Sequence, residues 1–392
     1  MLRQSLAIGL LFLSSGICRA WRDGELLIWM DADRARGLQP ITRQYETKLG
    51  IHIRIESPPD LVNSFTIAAS GQGGPDIVFW AHDKVAQWAE GGLISPLEIR
   101  DEVRARYFPL AWRGLLFQGR TWGYPIAFEA LGLICNTNLL TGSPPTEFSQ
   151  IESMSRSAPP RQYSTFLCSF RDPYYAWAFL AGAGGYIFKP TADGFNVKDV
   201  GVDQPGAIRA LTRIVALIQA GVVPKRIDYG DVEARMASGQ LKMMVGGPWS
   251  WANLDRNRIP FEIEPLPGVD GNPAKSFVGV SAAYLNRSSP NHDLATDFLE
   301  ACVLTPDGLR AMNSVGPIGV PANKAFYEEL AQKDPRIAAT KANADAGDLI
   351  PNIPAMGRFW TAFGAALDIA LNGQATPEQA LHQAAKDMRR GF

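Results

Sequence analysis

At 392 residues the chain exceeds one ordinary domain and suits two of middling size, each able to bury its own core. Hydrophobic residues make up 46% and charged residues 20%, an ordinary globular composition. The formal net charge of -1, from 38 basic and 39 acidic side chains with no block of one sign, leaves no electrostatic footprint for a nucleic-acid partner.

The chain opens like an export signal over residues 1–20: Arg3, a short apolar run from Leu6 to Leu13, then Cys18-Arg19-Ala20 ending in a small residue. A run of that length falls short of the about 20 apolar residues a bilayer span needs, and a short buried or interfacial helix is the alternative. Ile17 stands where lipoprotein signals carry a small residue, so release into the periplasm is expected in place of anchoring at Cys18. Removal takes two arginines and no acid, leaving 36 basic side chains against 39 acidic ones and a net of -3.

Next in chain order, Glu25 to Trp29 (ELLIW) reads as a buried strand. Ile51, Ile53 and Ile55 alternate with polar residues at the period of a half-buried strand, and Asp76 to Trp80 (DIVFW) is a third, preceded by the turn-forming GQGGP at 71–75. Helix-length segments separate them, so the first hundred residues predict alternating β and α with a largely parallel sheet. Ligands of such sheets bind beyond the carboxyl ends of the strands, where Asp31 to Arg34 and Trp80 to Lys84 fall. Further on, Ile208, Leu211, Val215 and Ile218 share one helix face between Pro205 and Gly221. Lys242 to Val245 (KMMV) reads as a strand ending in GGPWSW at 246–251, and Asn291 to Leu304 and Pro377 to Arg390 as amphipathic helices. No repeat of 20–50 residues is visible. Two α/β lobes follow.

Cysteine and histidine usage excludes little. Beyond the leader, Cys135, Cys168 and Cys302 are odd in number, so at least one thiol is unpaired. The settings LGLICN and TFLCSF predict buried, inert thiols at Cys135 and Cys168. His52, His82, His292 and His382 show no metal-ligand spacing, and no metal or other cofactor is expected.

Six motifs in one register then become recognisable: WMDADR (29–34), GPDIVFWAHDK (74–84), YPIAFEALGLICN (124–136), KDVGVD (198–203), GPWSW (247–251) and DPRIAATKANADAGDLIPNIPAMGRFW (334–360). Together the motifs resemble the maltose/maltodextrin-binding family that feeds ABC sugar importers, along essentially the whole chain after the leader. The resemblance implies a type II periplasmic binding fold, with two discontinuous α/β lobes, a hinge and an inter-lobe cleft. It divides the chain into 21–129 plus 283–330 and 130–282 plus 331–392. It implies a monomer that takes maltose or a related glucose disaccharide, performs no catalysis, and docks on an inner-membrane ABC permease.

Carried over by resemblance, the ligand contacts are Asp33 and Arg34 after the first strand, with Asp31 an added acid beside them; Trp80, Asp83 and Lys84; Glu129; Asp172 and Tyr174; and the ring-stacking Trp249 and Trp360. Such a set suits a sugar, whose hydroxyls donate and accept while its C–H faces cover aromatic planes. From local sequence alone, Asp33 and Asp83 suit helix caps or turns, Glu129 a buried ion pair with an arginine, and the three tryptophans core packing. His82 is assigned to packing or supporting hydrogen bonds. Departures from the family pattern, Val62 and Asn63 for paired glutamates, Ile350 for a methionine and Gly364 for an arginine, point to a short ligand such as maltose or trehalose. A glycosidase built on Asp33, Glu129 and Asp172, or a same-fold receptor for another solute, is the alternative.

Overall fold

In the computed structural model, which describes residues 21–22, 24–157, 163–191 and 194–390, the run ELLIW forms the strand Glu25–Trp29. The expected export signal and its Cys18 lie outside the described residues. Asp31 caps the helix Ala32–Leu49 by accepting the Arg34 N–H at 2.9 Å, and the helix stops at Gly50. The chain returns as His52–Glu56, passes through the helix Leu61–Ser70, and adds Ile77–Ala81. These three strands are parallel, as crossover helices between them require.

The parallel expectation for the first hundred residues holds for these three strands, while the complete sheet, with its later strands, is mixed. Its order is Val320–Pro321, Tyr124–Ala130, Phe277–Leu285, Ile77–Ala81, Glu25–Trp29, His52–Glu56, with Asp348–Leu349 beside the start of Phe277–Leu285. Phe277–Leu285 runs antiparallel to both Ile77–Ala81 and Tyr124–Ala130. The chain leaves along one of these strands and returns along another, so direction reverses at the exit. This return begins at Phe277.

A second sheet has the order Phe261–Glu264, Gly132–Asn136, Leu241–Gly246, Ser164–Leu167, and the run KMMV lies inside Leu241–Gly246. Gly246 pairs with Gly132 and Met244 with Leu167. The carboxyl ends of its two parallel strands therefore lie beside Gly132, where the chain has just left Tyr124–Ala130. In the larger sheet Glu129 pairs with Gly279 and Ala81 with Ser281, placing those carboxyl ends at the same crossing. Two sheets facing each other by their carboxyl ends are the two-lobed α/β periplasmic binding architecture that the resemblance implies.

Three chain segments cross between the sheets and meet at Ser276. The Leu131 N–H donates to Ser276 Oγ at 2.7 Å, and the Asp348 N–H donates to the Ser276 carbonyl at 2.9 Å. Ser276 is buried, so these bonds have no water competing for them.

Helices cover both sheets. Pro205–Gln219 starts at its proline as expected, and Met356–Leu371 and Pro377–Arg389 pack on it. The helix expected over 291–304 is α-helical only across His292–Phe298 and widens to a π turn at Leu299–Val303. That wider turn carries Glu300, which accepts from the Tyr124 hydroxyl at 2.8 Å and from Arg100 at 2.6 Å. Periodicity alone does not report such a tertiary tie.

Cys135, Cys168 and Cys302 are buried free thiols. Burial pushes Cys302 up to about 11 and Cys135 up to about 12, with Glu264 and Glu262 adding to the latter. Among the described residues no helix is long and apolar enough to cross a membrane.

Candidate functional site: the cleft between the sheets

The first-lobe residues come from loops and strand ends at one edge. Arg34 organises them. Its guanidinium donates to Ser281 Oγ at 3.2 Å and lies 3.5 Å from Glu129 Oε1 and 3.6 Å from Asp31 Oδ2. Glu129, one residue from the end of its strand, is therefore an ion-paired carboxylate with about a quarter of its side chain open to solvent. Lys84 lies 3.1 Å from Asp83 on the short turn His82–Lys84 that follows Ile77–Ala81. Asp33 points along its own helix and pairs with Arg36, both well exposed. Trp80 pairs through its backbone with Ala282, and the residue is 37% exposed. An indole that open is not a core tryptophan, which would be covered.

The second-lobe residues are aromatic. Asp172 caps the helix Pro173–Gly182 by accepting the Tyr174 N–H at 2.9 Å. Its carboxyl is pushed above its ordinary value by burial, opposed by that same N–H. Tyr174 lies 6.1 Å from Trp249, and Trp249 is 38% exposed. Gly247 permits this pose, because a Cβ there would fall 2.4 Å from the Trp249 ring. Trp360, on the helix Met356–Leu371, meets Phe277 edge-on at 5.6 Å, and Phe277 stacks on Tyr174 at 6.0 Å. Tyr174, Trp249 and Trp360 thus form one ring surface joined through Phe277. Burial, then the negative charge of Glu129, pushes the Tyr174 phenol up, so the acid of one lobe is felt by the ring of the other.

The structure therefore brings together Asp31, Arg34 and Glu129 on one side and Tyr174, Trp249 and Trp360 on the other. Asp83 and Lys84 form their own pair, Trp80 makes no ring contact with the other two tryptophans among the described residues, and Asp33 is turned to Arg36. The caps are at Asp31 and Asp172 instead of Asp33 and Asp83, because a cap must precede the first helical turn. A Cβ added at Gly364 would meet Pro173 at 3.5 Å, ordinary van der Waals contact.

Residues 41–342 match the family described as bacterial extracellular solute-binding protein. The chain belongs to that family. Curated relatives cover nearly all of it. A galactooligosaccharide-binding protein of Bacillus subtilis is 25% identical over 95% of this chain and 90% of its own length. A maltotriose-binding protein of Pyrococcus abyssi is 26% identical over 88% and 77% respectively, and the maltodextrin-binding protein MdxE of Bacillus subtilis 23% over 97% and 93%.

In this solute-binding protein His82 lies behind the cleft and does not face it. Its Nδ1 accepts the Val280 N–H at 3.0 Å, so the proton sits on Nε2, which donates to the Ile350 carbonyl at 3.0 Å. The ring ties two of the segments that cross between the sheets, and burial lowers its pKa. The unfolded chain then binds more protons below about pH 6.5, and stability rises with pH there. His82 thus contributes stability that is fully present above that pH and is lost as pH falls toward the folded value, at up to about 1.4 kcal/mol per unit. Asp76, Asp172 and Glu264, whose carboxyls are raised by burial, act with the opposite sign. A comparison of Tm between pH 7.5 and 5.5 isolates the histidine: the acid-side loss should flatten in His82→Gln. Parallel profiles for the two proteins would remove His82 as the source.

Two site neighbours were missed by sequence. Ser281, the hydroxyl under Arg34, was readable as the lone polar residue in the buried strand FVGVSAAYL. Phe277 carried no signal at all, being one more apolar residue in a buried strand.

Proposed function

We propose that this solute-binding protein captures a short glucose oligosaccharide, maltose or another disaccharide such as trehalose, between its lobes and hands it to an inner-membrane ABC permease. The reading places the mature chain in the periplasm as a monomer, with lobes 21–129 plus 283–330 and 130–282 plus 331–392 as the moving bodies. The observation that carries it is the pair of partly open indoles, Trp80 and Trp249, on opposite lobes, with the Arg34–Glu129 pair at the carboxyl end of a strand of the larger sheet. Carboxylates and guanidinium would take hydroxyls, and hydrogen bonds to charged groups contribute roughly 1.5–3 kcal/mol each. Indole faces would cover the pyranose C–H surface. Relatives named for maltotriose, maltodextrin and galactooligosaccharide support the ligand class.

Ligand contacts from both lobes exist together only in a shut cleft, so sugar shifts an open–closed population by those extra contacts. The test is thermal unfolding of the chain with maltose, trehalose, maltotriose and a galactooligosaccharide, with product analysis alongside. Ligand at about 100 times Kd should stabilise by roughly 2.7 kcal/mol without hydrolysis. Absence of a shift with all four sugars, or release of monosaccharide, would overturn the reading.

A further inference from the structure

Resting on the oligosaccharide reading above, we propose that Phe277 is a positioning residue: it fixes the spacing of Trp249 and Trp360 within the ring surface that receives the sugar, and thereby the affinity of a cleft it does not itself contact. Its backbone belongs to the larger sheet, pairing with Asp348 at the crossing that Ser276 ties together. Its side chain is 1% exposed and lies among the candidate sugar-facing rings. It stacks on Tyr174 at 6.0 Å with 27° between planes and meets Trp360 at 5.6 Å and 63°. Tyr174 in turn holds Trp249 at 6.1 Å. The relative placement of Trp249 and Trp360 therefore passes through one phenyl ring.

The ring also borders a groove of about 700 Å³, lined by Phe117, Tyr186, Phe195, Ile350 and Ile353 among others but by none of Tyr174, Trp249 and Trp360. With open space on that side, a smaller residue at 277 would leave Tyr174 and Trp360 free to relax inward, because rigid interiors hold position only where atoms meet them. Phe363 is the matched control. It is equally buried and belongs to the same aromatic cluster, but its ring pairs with neither Tyr174 nor Trp360: its partners are Phe359 at 5.2 Å and Trp177 at 5.4 Å, which stand between it and Phe277.

The experiment is calorimetric titration of the whole chain, as wild type, Phe277→Leu and Phe363→Leu, with maltose and maltotriose, alongside Tm measurements. Both variants should melt at lower temperature. Phe277→Leu should bind about tenfold more weakly, the scale set by losing one ring pair's geometry, while Phe363→Leu stays within about twofold of wild type. Equal affinity of Phe277→Leu and wild type, or equal weakening in both variants, overturns the positioning role and leaves the sugar reading standing. A wild type that takes none of the sugars overturns that reading, and the positioning role falls with it. Should Phe277→Leu not fold, Phe277→Met keeps the volume without the ring and serves in the same comparison.

Discussion

Asp76→Ala is expected to lower the unfolding free energy by about 3–5 kcal/mol, among the largest effects any single change should have here. The carboxylate is fully buried in front of the strand Ile77–Ala81, and every partner it has is a donor. The Leu27 N–H reaches Oδ2 at 2.7 Å, while Ser289 Oγ at 2.5 Å and Asn291 Nδ2 at 3.1 Å reach Oδ1. These bonds tie the first strand, the third strand and the loop after Phe277–Leu285 into one corner. Burial wins over them in setting the pKa, which is raised despite the bonds from Ser289, Leu27 and Asn291. The charge itself is thus no asset, and what truncation costs is three orphaned donors at about 1–3 kcal/mol each, offset where water enters. Asp76→Asn keeps the shape but turns an NH2 toward a donor and should fall between. Urea unfolding of the three proteins decides it, and a loss under about 1 kcal/mol in the alanine variant would show that the corner rebuilds itself.

Trp360→Ala should weaken oligosaccharide binding by about 2 kcal/mol, roughly thirtyfold. The ring is only partly buried and meets Phe277 at 5.6 Å and Phe359 at 4.9 Å. Truncation also removes packing, so the titration belongs with a folded-state check by circular dichroism. A variant that folds and binds maltose as tightly as wild type places Trp360 outside the site.

Much of the framework was legible because it rests on local pattern. ELLIW, KMMV and the helix from Pro205 were readable from apolar period and capping signals, and each sits within a residue or two of expectation. What the pattern could not carry is direction. Phe277–Leu285 is almost wholly apolar, so nothing in its residues announces that it runs against both Ile77–Ala81 and Tyr124–Ala130. The site divides in the same way. Asp31 as a cap follows from its place before a helix, and the Asp33–Arg36 pair from a three-residue helical spacing that went unread. Arg34 and Glu129 belong to distant segments, and only sheet order puts them 3.5 Å apart. Phe277 marks the limit: its role depends on what lies on each side of a ring, which no one-dimensional pattern encodes.

The central place of Phe277–Leu285 has a consequence during synthesis. Until the ribosome has released this segment, Ile77–Ala81 and Tyr124–Ala130 have no neighbour between them, and each presents an unfilled row of amide and carbonyl groups. A chain interrupted before Phe277 would carry two adhesive edges and a half-built hydrophobic layer, a form suited to chaperone capture or clumping. Assembly of the larger sheet must therefore wait for late-arriving chain, and slow, aggregation-exposed folding is written into the order of its strands.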